Sequence, residues 1–182
     1  MNKLIAGSDE VGRGCLAGPV VAAAVILRNP IDGIDDSKKL SIVKRKKLNE
    51  IILLNSFYGF GVVSNSKIDQ INILEASLLA MKRAILNLPV KPDLVLIDGI
   101  HKPKINLQMK TIIGGDSVED NISAASIIAK VYRDNLMISY DKKYPVYGFK
   151  KNKGYGTKEH FKAIRKYGET AIHRKTFKGV LN

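Results

Sequence analysis

Four carboxylates stand where a chain would leave a β-sheet. Asp9 and Glu10 follow the short apolar run Leu4–Ser8, Asp98 closes Leu94-Val95-Leu96-Ile97, and Asp116 follows Gly114-Gly115 ahead of a long helical pattern. Acids at the ends of neighbouring strands can converge. An all-oxygen cluster suits hard divalent cations such as Mg²⁺, which keep part of their water shell. Two such ions can activate a water and stabilise the leaving oxygen of a phosphodiester. Any one of these acids taken singly is better explained as a solvated loop residue, and Asp98-Gly99 alone reads as a turn. Successive residues of a regular strand point to opposite faces, so Asp9 and Glu10 share a site only if the strand breaks between or just after them. Val11-Gly12 offers that break. Gly12-Arg13-Gly14 then combines backbone freedom for close approach to a ligand with a guanidinium fork suited to phosphate. Its plainer reading is a tight turn with an exposed arginine.

The surrounding elements decide whether these groups meet. Val20–Leu27 is a continuous apolar run of strand length, buried on both faces. Ser41 caps a basic helix over 42–55, and 57–63 reads as a strand weakened by Gly59 and Gly61. Asn72 caps an apolar-faced helix to Leu86, which Pro89 and Pro92 end. The segment 105–113 alternates as a strand, a helix covers 118–140, and a last helix covers 158–166 after Gly154-Tyr155-Gly156. Strands first, then strands interleaved with helices, predict an α/β fold with a mixed central sheet flanked by helices and a small helical C-terminal segment. No repeat or linker divides the chain, so 1–182 is expected to be one domain.

Composition narrows the partners. Thirty Lys and Arg against 17 Asp and Glu give a net charge of +13 over 182 residues. The excess lies mainly in the second part: residues 101–182 carry 17 basic and 7 acidic groups, against 13 and 10 before them. A basic half suits a polyanion, since phosphate neutralisation releases counterions. In 141–182, 12 basic and 3 acidic residues are interleaved with Tyr144, Tyr147, Phe149 and Tyr155, a pattern that also suits a polyanion. The lone Cys15 excludes a disulfide framework, and His101, His160 and His173 lack zinc-ligand spacing. No apolar run could span a bilayer, and no signal-peptide pattern opens the chain, so a cytoplasmic protein is expected.

Taken in order, the motifs resemble one family. Asp-Glu-x-Gly-Arg-Gly-x-Leu-Ala-Gly-Pro at 9–19 is similar to the opening motif of ribonuclease HII. Asp36-Ser37-Lys38-Lys39-Leu40, Ile68-Asp69 through Ala80-Met81, and Leu96-Ile97-Asp98-Gly99 continue the resemblance. So do Gly114-Gly115-Asp116, the stretch Ser123–Asp134, Gly154-Tyr155-Gly156-Thr157 and His173-Arg174.

The resemblance implies a ribonuclease H-like fold and Mg²⁺- or Mn²⁺-dependent hydrolysis of the RNA strand of RNA–DNA hybrids. It also implies incision 5′ to a ribonucleotide in duplex DNA, leaving 3′-hydroxyl and 5′-phosphate ends. Asp9, Glu10, Asp98 and Asp116 would hold the metal and orient the attacking water. Gly12, Arg13 and Gly14 would read the ribose 2′-hydroxyl, and Tyr155 would pack on the following sugar. Lys38, Lys39, Lys130 and Ser126 would contact phosphate. Asp134 lies about five helical turns beyond Asp116 and is expected to pair with Arg133 or a neighbouring lysine. Arg13, where ribonuclease HIII has lysine, and the short segment before Asp9 favour the HII type. Cys15 departs from the family's usual proline. No sliding-clamp tail is evident after Phe177, so no tail-mediated clamp contact is expected, and the protein is expected to be a monomer. Two readings remain beside this one: a ribonuclease H-fold DNA nuclease or strand transferase, and a basic nucleic-acid-binding module whose acids are structural.

Overall fold

The computed structural model describes residues 3–35, 37 and 39–181; the phosphate-contact expectation for Lys38 lies outside them. Five strands form one sheet in the order β3-β2-β1-β4-β5. They are β1 (Ile5–Val11), β2 (Val20–Leu27), β3 (Ser56–Val63), β4 (Leu94–Asp98) and β5 (Met109–Ile112). β1, β2 and β3 pair antiparallel, whereas β4 and β5 run parallel to β1. The sheet is therefore mixed, and β1, which carries two of the acids, is its middle strand.

β2 shows why the sheet is a central layer. Its alternate residues Ala22, Ala24 and Ile26 enter one core with α2 (Asn65–Leu86). Val21, Ala23 and Val25 enter a second core with α1 (Ile42–Asn55) and α3 (Asp120–Lys143). Such a strand cannot alternate polar and apolar residues, because both faces are dry. A third core joins Leu16 and Ala17 to Met137, Tyr147, Phe149, Ile164 and Ile172. It seats α4 (Phe149–Asn152) and α5 (Lys158–Tyr167). Asp69 on α2 fastens the chain's end: its carboxylate accepts from the Lys175 and Thr176 amides at 2.9 and 3.0 Å.

Several boundaries differ from expectation for identifiable reasons. The first strand extends through both acids to Val11, beyond the predicted Ser8. Gly59 and Gly61 do not weaken β3. They admit α2, because a Cβ at either position would strike the carbonyl oxygen of Ala84 or Ala80. α2 begins at Asn65, capped by Ser64, and breaks at Asn72, whose φ is 65°. The Asn72 side chain still caps the helical turn beyond the break, accepting from the Glu75 amide at 3.1 Å. The expected strand over 105–113 shortens to Met109–Ile112, while Ile105 and Leu107 pack on the α2 core instead. α3 starts two residues later and ends three residues beyond the predicted 118–140.

Candidate metal and substrate site

Register brings the first acids together. Ser8 lies opposite Ile97 in the parallel β1–β4 pair, so Asp9 and Asp98 are the next residues of adjacent strands and leave the same face. Asp9 is 5% exposed and sits against α3. Its carboxylate accepts from the Glu10 amide at 2.7 Å and from the Ser126 hydroxyl. Burial, with Glu10 and Asp98 alongside, pushes Asp9 well above the usual carboxylate range. Glu10 is also raised, chiefly by burial, although Arg13 Nη1 donates to its Oε1 at 3.1 Å and pulls the other way. The strand ends at Val11, and Gly12 takes a φ of 95°. Pairing with β2 stays regular through Val11, so the break falls one residue beyond the acid pair. Alternation sets Asp9 and Glu10 on opposite faces of β1, still near enough for their charges to oppose.

Asp98 Oδ1 accepts from the Gly115 amide at 2.8 Å, which ties the Asp116 turn to the end of β4. Asp116 is buried in that turn, and its carbonyl accepts from the Ser123 hydroxyl at 2.8 Å. Among the described residues, no three acidic, histidine or cysteine side chains already stand as a set of ion ligands. The donors are carboxylate oxygens whose charges repel one another in a dry setting. That chemistry fits a hard divalent cation and disfavours zinc.

Ser126 is buried. Because a carboxylate only accepts, Ser126 donates to ionised Asp9, and Ser37, 2.9 Å away, donates to Ser126. Ser37 therefore reaches Asp9 through Ser126, although nothing in the sequence singles out that serine. Lys39 is exposed, 3.6 Å from Asp35. Lys130 is paired with Asp134 at 2.8 Å, as expected for Asp134, and lies 5.7 Å over the Tyr155 ring.

Of two buried arginines, Arg174 holds the glycine turn and Arg133, packed against Gly12, holds the segments on either side of it. Arg174 donates to Gly12 O, Arg13 O and Gly18 O at 2.6, 2.7 and 3.0 Å. Arg133 donates to Pro19 O, Lys153 O and Ala17 O at 3.0, 2.9 and 3.1 Å. Burial lowers Arg174 to about 10, which leaves it charged near neutrality. The Arg13 side chain is half exposed at the same turn. Tyr155 pairs as an isolated bridge with Cys15, so its partly exposed ring stands beside the turn.

A model of the ribonuclease HII family matches residues 6–180. The chain belongs to this family. Ribonuclease HII of Borrelia recurrentis is 55% identical over 179 residues, covering 96% of this chain and 99% of that protein. Among solved structures, ribonuclease H2 from Pyrococcus horikoshii OT3 superposes with a TM-score of 0.79 at 27% identity, covering 97% of this chain and 94% of that one. Bst-RNase HIII in complex with Mn²⁺ superposes with a TM-score of 0.78 at 21% identity. It covers 98% of this chain and 68% of that one, a likeness of fold. The mixed sheet flanked by helices is the ribonuclease H-like fold expected from the motifs.

His160 and His173, both buried, meet Nε2 to Nε2 at 3.0 Å. Burial lowers His160, while burial and His160 lower His173 to about 4. Between that value and the ordinary 6.5, the unfolded chain binds more protons than the folded one. Stability is therefore full above pH 6.5 and falls as pH drops toward 4. The expected loss is on the order of 2–3 kcal/mol, read from urea midpoints across that window. His173→Gln should flatten the dependence; an unchanged slope would assign it to other groups.

Proposed function

We propose that the chain incises the strand 5′ to a ribonucleotide within duplex DNA, leaving 3′-hydroxyl and 5′-phosphate ends. The coarser activity follows from family membership: ribonucleases HII are endoribonucleases of RNA–DNA hybrids. The observation that carries the finer reading is adjacency. The acid cluster at the ends of β1 and β4 is followed within four residues by a glycine turn clamped from behind and flanked by Tyr155. A sugar read at that turn lies beside the phosphate to be cut.

Asp9, Glu10, Asp98 and Asp116 would hold Mg²⁺ or Mn²⁺. When bound, the divalent ions activate water and stabilise the departing 3′ oxygen. The chain's own groups prepare this. Ser126 and the Glu10 amide fix the Asp9 carboxylate, and the Gly115 amide fixes Asp98. Arg13 holds Glu10 while half of its surface stays open to a phosphate. The Gly12–Gly14 backbone reads the 2′-hydroxyl, the group that separates RNA from DNA. Tyr155 packs on the next sugar, with Lys130 near its ring as a phosphate contact. The basic segment 141–182 completes the duplex-binding face of one catalytic domain, positioning the substrate without reading its sequence.

The test is a labelled duplex containing one ribonucleotide, incubated with Mg²⁺, with Mn²⁺ or with EDTA, beside an all-DNA control. Metal-dependent nicking 5′ to the ribonucleotide supports the reading, whereas no cleavage with either ion sinks it. Cutting of the control would favour a DNA nuclease instead. Tyr155→Ala should reduce incision more than duplex binding; equal losses would remove Tyr155 from sugar recognition.

A further inference from the structure

Residues 15–18 run as the middle of a small irregular sheet. On one side Leu16 N donates to Gly154 O at 2.8 Å, and Cys15 bridges Tyr155. On the other, Gly18 N donates to Ile172 O and Arg174 N to Leu16 O, both at 2.8 Å, and Ala17 bridges His173. Two neighbouring residues of the last segment then reach past this strand in different directions. Arg174 goes to the carbonyls of Gly12 and Arg13. His173 goes to Tyr155 through His160.

The second route has a fixed polarity. The Thr170 amide can only donate, so His173 Nδ1, at 2.8 Å, accepts. Neutral His173 then carries its proton on Nε2 and donates to His160 Nε2 at 3.0 Å. His160 is left with its proton on Nδ1, which donates to Tyr155 O at 2.8 Å. Every ring nitrogen has one role, and no buried side-chain polar atom among the described residues lacks a partner. Apolar packing alone would need no such ordering. Tyr147 and Phe149 already enclose both rings, with Tyr147–His173 and Phe149–His160 centroids 5.2 and 5.3 Å apart.

We propose that His173 and Arg174 are positioning residues that set the distance between the Gly12–Gly14 turn and the Tyr155 ring, and thereby the preference for a ribonucleotide–DNA junction. This rests on the recognition roles given above to the turn and to Tyr155. Two elements that grip adjacent sugars must be held to a fraction of an ångström, and a misplacement of about 1 Å can cost about 100-fold. Neither element is held by its own sequence neighbours alone. The shared anchor is the dipeptide at 173–174.

Asparagine and glutamine separate the two halves of the relay. Asparagine at 173 places an acceptor where Nδ1 stands but cannot reach His160. Glutamine places a donor near Nε2 and keeps that link. The quantity to measure is the ratio of kcat/KM for a single-ribonucleotide duplex to that for a continuous RNA–DNA hybrid, with Tm alongside. His173→Asn should lower the ratio about tenfold, and His173→Gln by less than about threefold. In a Tyr155→Ala background, His173→Asn should lower the ratio no further, because the relay acts through that residue. Arg174→Lys supplies a single nitrogen, which cannot span three carbonyls met by three separate guanidinium nitrogens, and should lower the ratio even if His173→Asn does not fold. A wild-type ratio in His173→Asn or Arg174→Lys overturns the proposal, as does an undiminished effect of His173→Asn without the tyrosine. If the wild-type protein cuts hybrids but not the single-ribonucleotide duplex, the recognition reading itself fails and the proposal falls with it.

Discussion

Asp9→Asn is expected to melt higher than the wild-type protein in EDTA while losing incision by about 10³-fold or more, the ~4 kcal/mol scale of removing one electrostatic stabiliser from a reaction centre. Asp9 is buried, and both Glu10 and Asp98 oppose its charge. An amide removes that repulsion, its oxygen still accepts from the Glu10 amide, and its NH2 can donate to the Ser126 hydroxyl. The gain should be about 1–2 kcal/mol, or about 2–6 °C in a chain of this size. Mn²⁺ should raise the melting temperature of the wild-type protein by mass action and that of Asp9→Asn much less. Thermal melts with EDTA and Mn²⁺, paired with single-turnover cleavage, decide it. A variant that melts lower in EDTA, or keeps the full Mn²⁺ shift, would place Asp9 outside the metal cluster and in the scaffold.

The second large effect belongs to the glycine turn. Gly12→Ala should destabilise the fold by about 4 kcal/mol, from about 1–3 kcal/mol of left-handed strain and the displacement of a buried charge. Gly12 has a φ of 95°, and a Cβ there would strike the Arg133 side chain, whose nitrogens already serve three carbonyls. A melting temperature lower by about 10 °C, with activity lost in step, is the expected result. Gly14→Ala is the contrast. A Cβ there meets nothing within 4 Å, so the fold should be indifferent to it. If Gly14 is glycine to let a sugar approach, Gly14→Ala weakens single-ribonucleotide cutting at unchanged stability. Equal melting losses in both variants would refute the distinction.

How much of this is legible in the residues varies with what each residue bonds to. The acids can be read because a carboxylate after an apolar strand is conspicuous, and strand order does the rest. Ser41 and Thr157 are local caps with local signals; their hydroxyls accept from Lys44 and His160 amides three residues on. Arg133 and Arg174 stand in recognisable motifs, but their role is hidden, because their partners are backbone carbonyls far away in sequence. Arg133 in particular passes over Asp134, its neighbour in sequence, in favour of Pro19, Lys153 and Ala17. Ser37 reaches Asp9 only through Ser126, a link no periodicity encodes. Gly59 and Gly61 read as weak strand positions when their bareness is what admits a helix. The first turn of α2 escapes pattern reading because its Asn65-Ser66-Lys67 start is polar and buries only Ile68.

The anchoring at Arg174 also orders events in time. Its three carbonyl partners lie 156 to 162 residues earlier in the chain. During synthesis, everything through Asp116 is present long before that arginine leaves the ribosome. The acids of β1 and β4 can gather early, whereas the Gly12–Arg13 turn gains these bonds only once Arg174 has emerged, as contacts of such sequence separation form late. A nascent chain that stops short of Arg174 would then carry the four acids beside a turn whose Gly12 and Arg13 carbonyls still lack their clamp.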